Sequence, residues 1–385
     1  MKTLTPTSGY MPPNRKNNEL SYKRAFQTLN EHLKLPHAPN SQHNNQQLIQ
    51  SLIYLTVENA YAESGLQNLA CTQTAPSADT LLRRLKALHW KDAHRMLTEA
   101  NDHIIKKLKR KGTFKKPILA AVDLSDDPYY GEFTNKICQG KYERGTCQFY
   151  RHASLHVVEA GKRATIYTTM VTPFDDHESI IEHLVLAARL RGIRIGLLLV
   201  DRGFNGAEVV NKLKVLRQPF LMPAQKHNNV KKAIEDYDRK LTSAVIDFPI
   251  VGAQKKKARC RLFVVMKKDA TPIESVTDRY IVFFTNLSLE RVILAYDRLP
   301  KDYRKRWGIE TGFRVQDNVQ AKTTSKSYTV RVAYVMLSTF LYNIWVLGNI
   351  VLAKELRVDL ERPRIKLSQL AHYFRRVIEQ PYKPP

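Results

Sequence analysis

Three acidic residues occupy places where a charge is costly unless something compensates it. Asp123 follows the apolar run "ILAAV", Asp201 follows "IGLLLV", and Glu310 lies in the segment "YRKRWGIETGF". An acid that ends an apolar strand sits at the carboxyl edge of a sheet, where open α/β sheets place their sites. If the two strands are neighbours and the Glu310 segment packs beside them, the three carboxylates converge. Converging carboxylates repel, so each disfavours ionisation of the others. A hard dication such as Mg²⁺ removes that penalty, because it takes oxygen ligands and leaves room for water and phosphate oxygens. Two such ions can clamp an in-line displacement at phosphorus. The structural alternative is that Asp123 and Asp201 cap loops while Glu310 pairs with Arg306 or Arg314.

Tyr303, Arg306, Glu310 and Arg314 recur at helical spacing, which predicts one helix with all four on one face. Guanidinium groups bind phosphate oxygens through paired hydrogen bonds. The stripe therefore suits a metal ligand bordered by phosphate contacts from Tyr303, Arg306 and Arg314. Asp126 and Asp127 precede Pro128 and read as turn-shaping residues rather than ligands.

The elements that must position these groups change character along the chain. Residues 1–44 are polar and proline-bearing, a weakly ordered lead-in with at most one short helix near 19–34. Residues 45–112 carry helical periodicity. Within them, "TAPSADTLLRRLKAL" starts a basic amphipathic helix at Pro76–Ser77. Arg83, Arg84 and Lys86 on that helix give the pair of helices the look of a helix-turn-helix. An ordinary helical hairpin is the plainer alternative. From residue 113 to 353 strands alternate with helices, and "IRIGLLLVDRGF" is apolar enough to need cover on both faces. Residues 225–298 form a β-rich, basic insertion whose run "AQKKKARCR" is either a solvated hairpin tip or a grip on a DNA backbone. A tail, 354–385, closes the chain.

Composition narrows the classes. With 62 Lys and Arg against 36 Asp and Glu, the 385 residues carry a net charge of +26, which favours a polyanionic partner. The hydrophobic share of 43% supports a real core. Four cysteines make no disulfide framework, consistent with a reducing interior, and the N-terminal residues have no secretory apolar core. No Walker motif is present, so no nucleotide cofactor is expected. Cys138, Cys147, His152 and His156 have a spacing only loosely like that of a zinc site. Residues 332–353 lack charge and are long enough to span a bilayer. The expected reading is a buried helix covering one face of the sheet, with no membrane partner; a tail anchor is the alternative.

Together, "VDRGF" at 200–204, "YRKRWGIE" at 303–310 and "VDLSDDPYYG" near residue 122 resemble the DDE transposases of prokaryotic insertion sequences. The group's Y-x2-R-x3-E signature is matched by Tyr303, Arg306 and Glu310, and the first block is similar to the archaeal ISH-three-like branch. The resemblance implies an RNase H-like, retroviral-integrase-like α/β core with a β-rich insertion and an N-terminal helical DNA-binding region. It makes Asp123, Asp201 and Glu310 the metal-binding catalytic triad for two Mg²⁺ ions, with Mn²⁺ able to substitute. Tyr303 and Arg306 become contacts to transposon-end phosphates. The signature continues with a lysine where this chain has Asp317, so that contact either passes to Arg314, Lys322 or Lys326 or is missing from this branch. Relatives that use a hairpin intermediate hold a flipped base with a Trp in the insertion; none lies in 225–298, which leaves either Phe283 or Phe284 as a substitute or no hairpin step at all. The implied partners are double-stranded DNA, as terminal inverted repeats and target, and a second copy of the chain in a synaptic complex. The implied setting is the nucleoid in a prokaryotic cytoplasm. A nuclease of the same fold that cuts without joining, and an inactive DNA-binding relative, remain the rival readings.

Overall fold

The computed structural model describes residues 15–36, 41–252 and 255–380. Among the described residues five helices come first: α1 (Arg15–His32), α2 (Asn45–Glu58), α3 (Ala62–Ala70), α4 (Ala78–Lys86) and α5 (Trp90–Arg110). The middle of the chain holds β1 (Ile118–Pro128), β2 (Cys138–Glu143), β3 (Thr146–Val157), β4 (Thr165–Val171), α6 (His177–Leu190), β5 (Ile195–Val200), α7 (Ala207–Val215), β6 (Phe220–Pro223) and α8 (Asn228–Asp238). Then follow β7 (Val245–Val251), β8 (Lys257–Met266), β9 (Tyr280–Thr285), α9 (Leu289–Leu294), α10 (Leu299–Arg304), α11 (Trp307–Gln316), α12 (Tyr328–Glu355) and α13 (Leu367–Glu379). The chain divides into a helical unit, Met1–Thr113 with Ala160–Thr165 and Thr311–Pro385, and a sheet unit, Phe114–Glu159 with Ile166–Glu310. Residues 113–353, read from sequence as one domain, are thus shared between two units.

The sheet unit is a mixed α/β structure built on one nine-stranded sheet in the order β2-β3-β1-β5-β6-β9-β8-β7, with β4 also paired to β3. β1 runs parallel to β5 and antiparallel to β3, and β5 runs parallel to β6. Ala120, Ala121, Val122, Leu198, Leu199, Val200, Phe220, Leu221 and Met222 are fully buried, as expected of strands covered on both faces. The insertion does not form a sheet of its own. β9 pairs antiparallel with β6, so β9, β8 and β7 prolong the same sheet. β6 would otherwise expose an unpaired edge, and the added strands use its hydrogen-bonding groups. The basic run lies at the β7–β8 hairpin, where Lys255, Lys256 and Lys257 are exposed; residues 253 and 254 fall outside the described residues.

The helical unit is organised around α12. Its 28 residues carry no charge between Val332 and Ala353, where apolar residues lie on all sides, and 94% of the most apolar window is buried. It packs on α5, α1, α4, α2 and α13, which explains its composition: a helix with neighbours on every side needs no polar face. The sequence reading assigned this segment to the sheet's domain, whereas it is the central helix of the helical unit. Its polar residues have specific protein partners. Asn343 donates to Asn101 Oδ1 and to the Thr165 carbonyl, both at 2.7 Å, and accepts from the Thr165 N–H at 2.9 Å. Asn349 caps the backbone at Arg364 and Ile365, and Ser338 donates to the Gln316 carbonyl. At Gly348 a Cβ would come within 3.0 Å of Ser21 Oγ, so α1 crosses closely there.

In the N-terminal lead-in the helix expected near 19–34 is present but longer and packed, while residues 1–14 and 37–40 lie outside the described residues. α1 is an 18-residue helix with Ala25 and Leu29 fully buried, and Leu33 just beyond its end is nearly so. The interspersed Asn and Lys residues dilute an apolar stripe that only the neighbouring helices make legible. α4 starts where the sequence placed it, with Ser77 Oγ accepting the Thr80 N–H as N-cap.

Candidate active site

β1 and β5 set the first two acids side by side. Their parallel register ends on the pair Val122 and Val200, so the next residues, Asp123 and Asp201, are neighbours at that end of the ladder. β1 does not stop there, contrary to the sequence reading. It continues to Pro128 against β3, with Asp123 opposite Ser154. Asp123 is therefore a mid-strand residue, and Asp201 is the first residue beyond a strand. Local backbone groups orient both: the Leu124 N–H donates to Asp123 at 2.9 Å and the Gly203 N–H donates to Asp201 at 3.2 Å.

The third acid comes from α11. The single helix expected over the Tyr303–Arg314 stripe is broken. α10 ends at Arg304 and α11 begins at Trp307, with a tight turn between them in which the Arg306 N–H bonds Tyr303 O and the Ile309 N–H bonds Arg306 O. The break turns Arg306 inward. It is 9% exposed, and its guanidinium meets all three acids: Nη1 to Asp123 at 3.3 Å, Nη2 to Asp201 at 3.4 Å and Nη2 to Glu310 at 2.8 Å. Tyr303 also faces inward. Its hydroxyl donates to the Val200 carbonyl at 3.4 Å, just before Asp201, and its ring meets Phe283 edge-on at 5.2 Å. Burial pushes the Tyr303 phenol up, so it stays a neutral donor.

Electrostatically the cluster is under-compensated. One guanidinium faces three carboxylates. Burial raises the Asp123 carboxyl to about 6 against the pull of Arg306 and the Leu124 N–H, and Asp201 and Glu310 push it further up. A hard cation would relieve this, and the donor set, carboxylate oxygens alone, fits Mg²⁺ or Mn²⁺ rather than a thiophilic metal. Among the described residues the three acids do not draw within 4.8 Å of one another, the spacing reached elsewhere by one Glu/His group.

Asp126, on the same strand, is differently placed. It lies opposite Arg151 on β3 and accepts two hydrogen bonds from that guanidinium, both 2.7 Å. It belongs to a cross-strand ion pair, not a turn as read from sequence. Cys138, Cys147, His152 and His156 form no ligand group among the described residues. Both histidines are buried in β3, and Cys138 Sγ donates to the Val171 carbonyl.

The expected DNA contacts divide. Arg83, Lys86, Arg314, Lys322 and Lys326 are exposed, while Arg84 is half-buried and donates to Ser41 Oγ at 3.1 Å. Tyr303 and Arg306 are engaged with the site itself rather than forming an outward stripe. Phe283 and Phe284 are 2% and 1% exposed in β9, so neither offers a face to a base; Trp307, beside Arg306, is 62% exposed. Sequence reasoning missed Arg306 as the residue that faces all three acids, because its helical spacing suggested an uninterrupted helix.

Fold and acids define an α/β protein with an all-oxygen donor cluster at one end of its parallel central strands. The family model described as the transposase DDE domain matches residues 115–344. The chain belongs to the transposase DDE domain family. Among solved structures it is similar to the piggyBac transposase in a synaptic complex with hairpin DNA, with a TM-score of 0.55 at 9% identity, covering 94% of this chain and 80% of that one. No curated protein sequence matches the chain.

Proposed function

We propose that this protein is an insertion-sequence transposase that binds the ends of its element, cleaves the DNA 3′ ends by metal-dependent hydrolysis and transfers them to target DNA. The observation that carries the reading is the convergence of Asp123, Asp201 and Glu310 on the single guanidinium of Arg306. The strand order β4-β3-β1-β5-β6, with β3 antiparallel, supports an RNase H-like core. A net charge of +26 supports a DNA partner, and the synaptic assembly of the piggyBac transposase supports a paired complex of two copies.

Asp123, Asp201 and Glu310 would hold Mg²⁺ or Mn²⁺, which when bound supplies an activated oxygen nucleophile and stabilises the leaving oxygen. The chain's own contribution is preorganisation. Register fixes Asp123 beside Asp201, Tyr303 anchors the backbone before Asp201, and Arg306 holds the carboxylates together in the absence of a cation. Such carboxylates need little movement to act, which is where positioned groups lower barriers. Exposed Arg83, Lys86, Arg314, Lys322 and Lys326, with part of Arg84, contact DNA phosphates, and the protein works on nucleoid DNA in a prokaryotic cytoplasm.

The test uses labelled element ends and a supercoiled target with Mg²⁺. Ends joined to target support the transposase. Free cleaved ends without joining would make the protein a nuclease, and binding without cleavage an inactive relative.

A further inference from the structure

A second group of potential metal ligands lies in the helical unit, outside the acid cluster. Glu31 and His32 occupy the last turn of α1, and His103 lies on α5. One ligand atom from each falls within 4.8 Å of the other two. The imidazole rings of His32 and His103 are 6.0 Å apart, edge to face. His32 Nε2 is buried and has no hydrogen-bond partner among the described residues, which is costly for a ring nitrogen unless a further group completes it. A purely packing role accounts for two histidine rings in contact. It does not account for an orphaned ring nitrogen on a histidine that groups with a second imidazole and a carboxylate.

We propose that Glu31, His32 and His103 form a binding site for a zinc-class dication that clasps the end of α1 to α5. Two imidazoles and one carboxylate are a donor set suited to zinc and leave a fourth position for water. A tetrahedral ion with donors at about 2.0–2.2 Å holds them about 3.3 Å apart, so the three groups need only a small contraction. Glu31 is exposed and free to make that adjustment. The carbonyl end of α1 adds the negative end of the helix dipole. Lys107 and Lys106 near His103 oppose a cation, and the exposed Glu31 carboxylate offsets part of their charge. The site differs from the acid cluster in chemistry, nitrogen-rich against oxygen-only, so the two sort different metals. α1 packs on α5, α12, α2 and α13, and tying its end would steady the unit that carries α4 and its basic residues.

Full-length protein stripped with chelator and titrated with Zn²⁺ tests this, read by thermal melting and, with Co²⁺ as probe, by visible absorption of a bound ion. Wild type should melt higher with Zn²⁺ at concentrations where Mg²⁺ has no such effect, and Co²⁺ should show the intense bands of a four-coordinate site. Glu31→Gln, at an exposed position, should weaken half-saturation by roughly 10-fold or more, the scale on which metal sites respond to loss of a supporting group. His103→Gln should abolish both signals, and Asp123→Asn should leave them in place. No Zn²⁺ stabilisation of wild type would overturn the proposal. Equal stabilisation of wild type, Glu31→Gln and His103→Gln would also overturn it, by placing the ion elsewhere. Should His103→Gln fail to fold, Glu31→Gln alone decides.

Discussion

Asp123 and Asp126 stand three residues apart on one strand and have opposite electrostatic situations. Asp126 faces one arginine, Arg151, in a closed pair of two 2.7 Å bonds, and nothing about it calls for another cation. Asp123 shares one arginine, Arg306, with Asp201 and Glu310. The ratio of carboxylates to guanidiniums is one to one in the first region and three to one in the second. An acid on a sheet is a structural residue when its counter-charge is complete and a candidate ligand when it is not. Sequence displays both as the same "DLSDD" block.

The largest effect expected from this contrast is on strand cleavage. Asp123→Asn should lower single-turnover cleavage by on the order of 1,000-fold or more, as loss of preorganised transition-state charge does. Asp126→Asn should leave the rate close to wild type. Asp201→Asn should cleave as poorly as Asp123→Asn yet bind DNA at least as well in a gel-shift titration, since a negative charge near phosphates is gone. Equal losses at Asp123 and Asp126 would erase the distinction.

The next effect concerns β3, which backs both regions. His152 lies opposite Ser125 and His156 opposite Ala121, and burial pulls their imidazoles down to about 4 and about 3. In the unfolded chain they take up protons near pH 6.5, so below that pH the unfolded state binds more protons than the folded one. Their contribution to stability is intact above about pH 6.5 and is lost as the pH falls toward 4, on the order of 3 kcal/mol for each. Thermal melts from pH 7 to 4.5 should show a shallower acid loss in His156→Gln than in wild type, relative to each protein's value at pH 7. Parallel curves would contradict the assignment.

A smaller effect separates the two arginines. Arg306→Met leaves three acids facing one another and should cost on the order of 1–3 kcal/mol in chelator, below the full cost of breaking a buried pair because Asp201 and Glu310 keep water. Mg²⁺ should restore much of that loss. Arg151→Met should destabilise as well, but Mg²⁺ should not rescue it, since one carboxylate makes a poor site. Rescue of both variants, or of neither, would break the comparison. The smallest effect lies away from the acids. Arg83→Ala should flatten the salt dependence of DNA binding by up to about one phosphate contact, and Arg84→Ala by less, because Arg84 is already bonded to Ser41.

The two acids that follow apolar runs were legible from sequence, because a charge after "AAV" or "LLLV" is conspicuous. Register was not: only pairing shows that Val122 and Val200 are partners and that β1 runs on past Asp123. The break before α11 was hidden because Tyr303, Arg306 and Glu310 keep helical spacing across a turn. The role of α12 was half legible. Its burial followed from composition, but its place among helices depended on Asn343 reaching Asn101 and Thr165, contacts far apart in sequence. His32 and His103 gave no sequence signal, since no motif links two histidines on separate helices.

The central claim is that the three-to-one cluster, and not the closed pair, takes the cation. Anomalous diffraction from crystals grown with Mn²⁺ tests it most directly, in wild type and in Asp123→Asn. The account predicts manganese density among Asp123, Asp201 and Glu310 in wild type, bonded to their oxygens, and its loss or weakening in Asp123→Asn. Density at Asp126 instead, or wild-type crystals saturated with Mn²⁺ in which Arg306 still bridges the three acids and no ion lies among them, would contradict it.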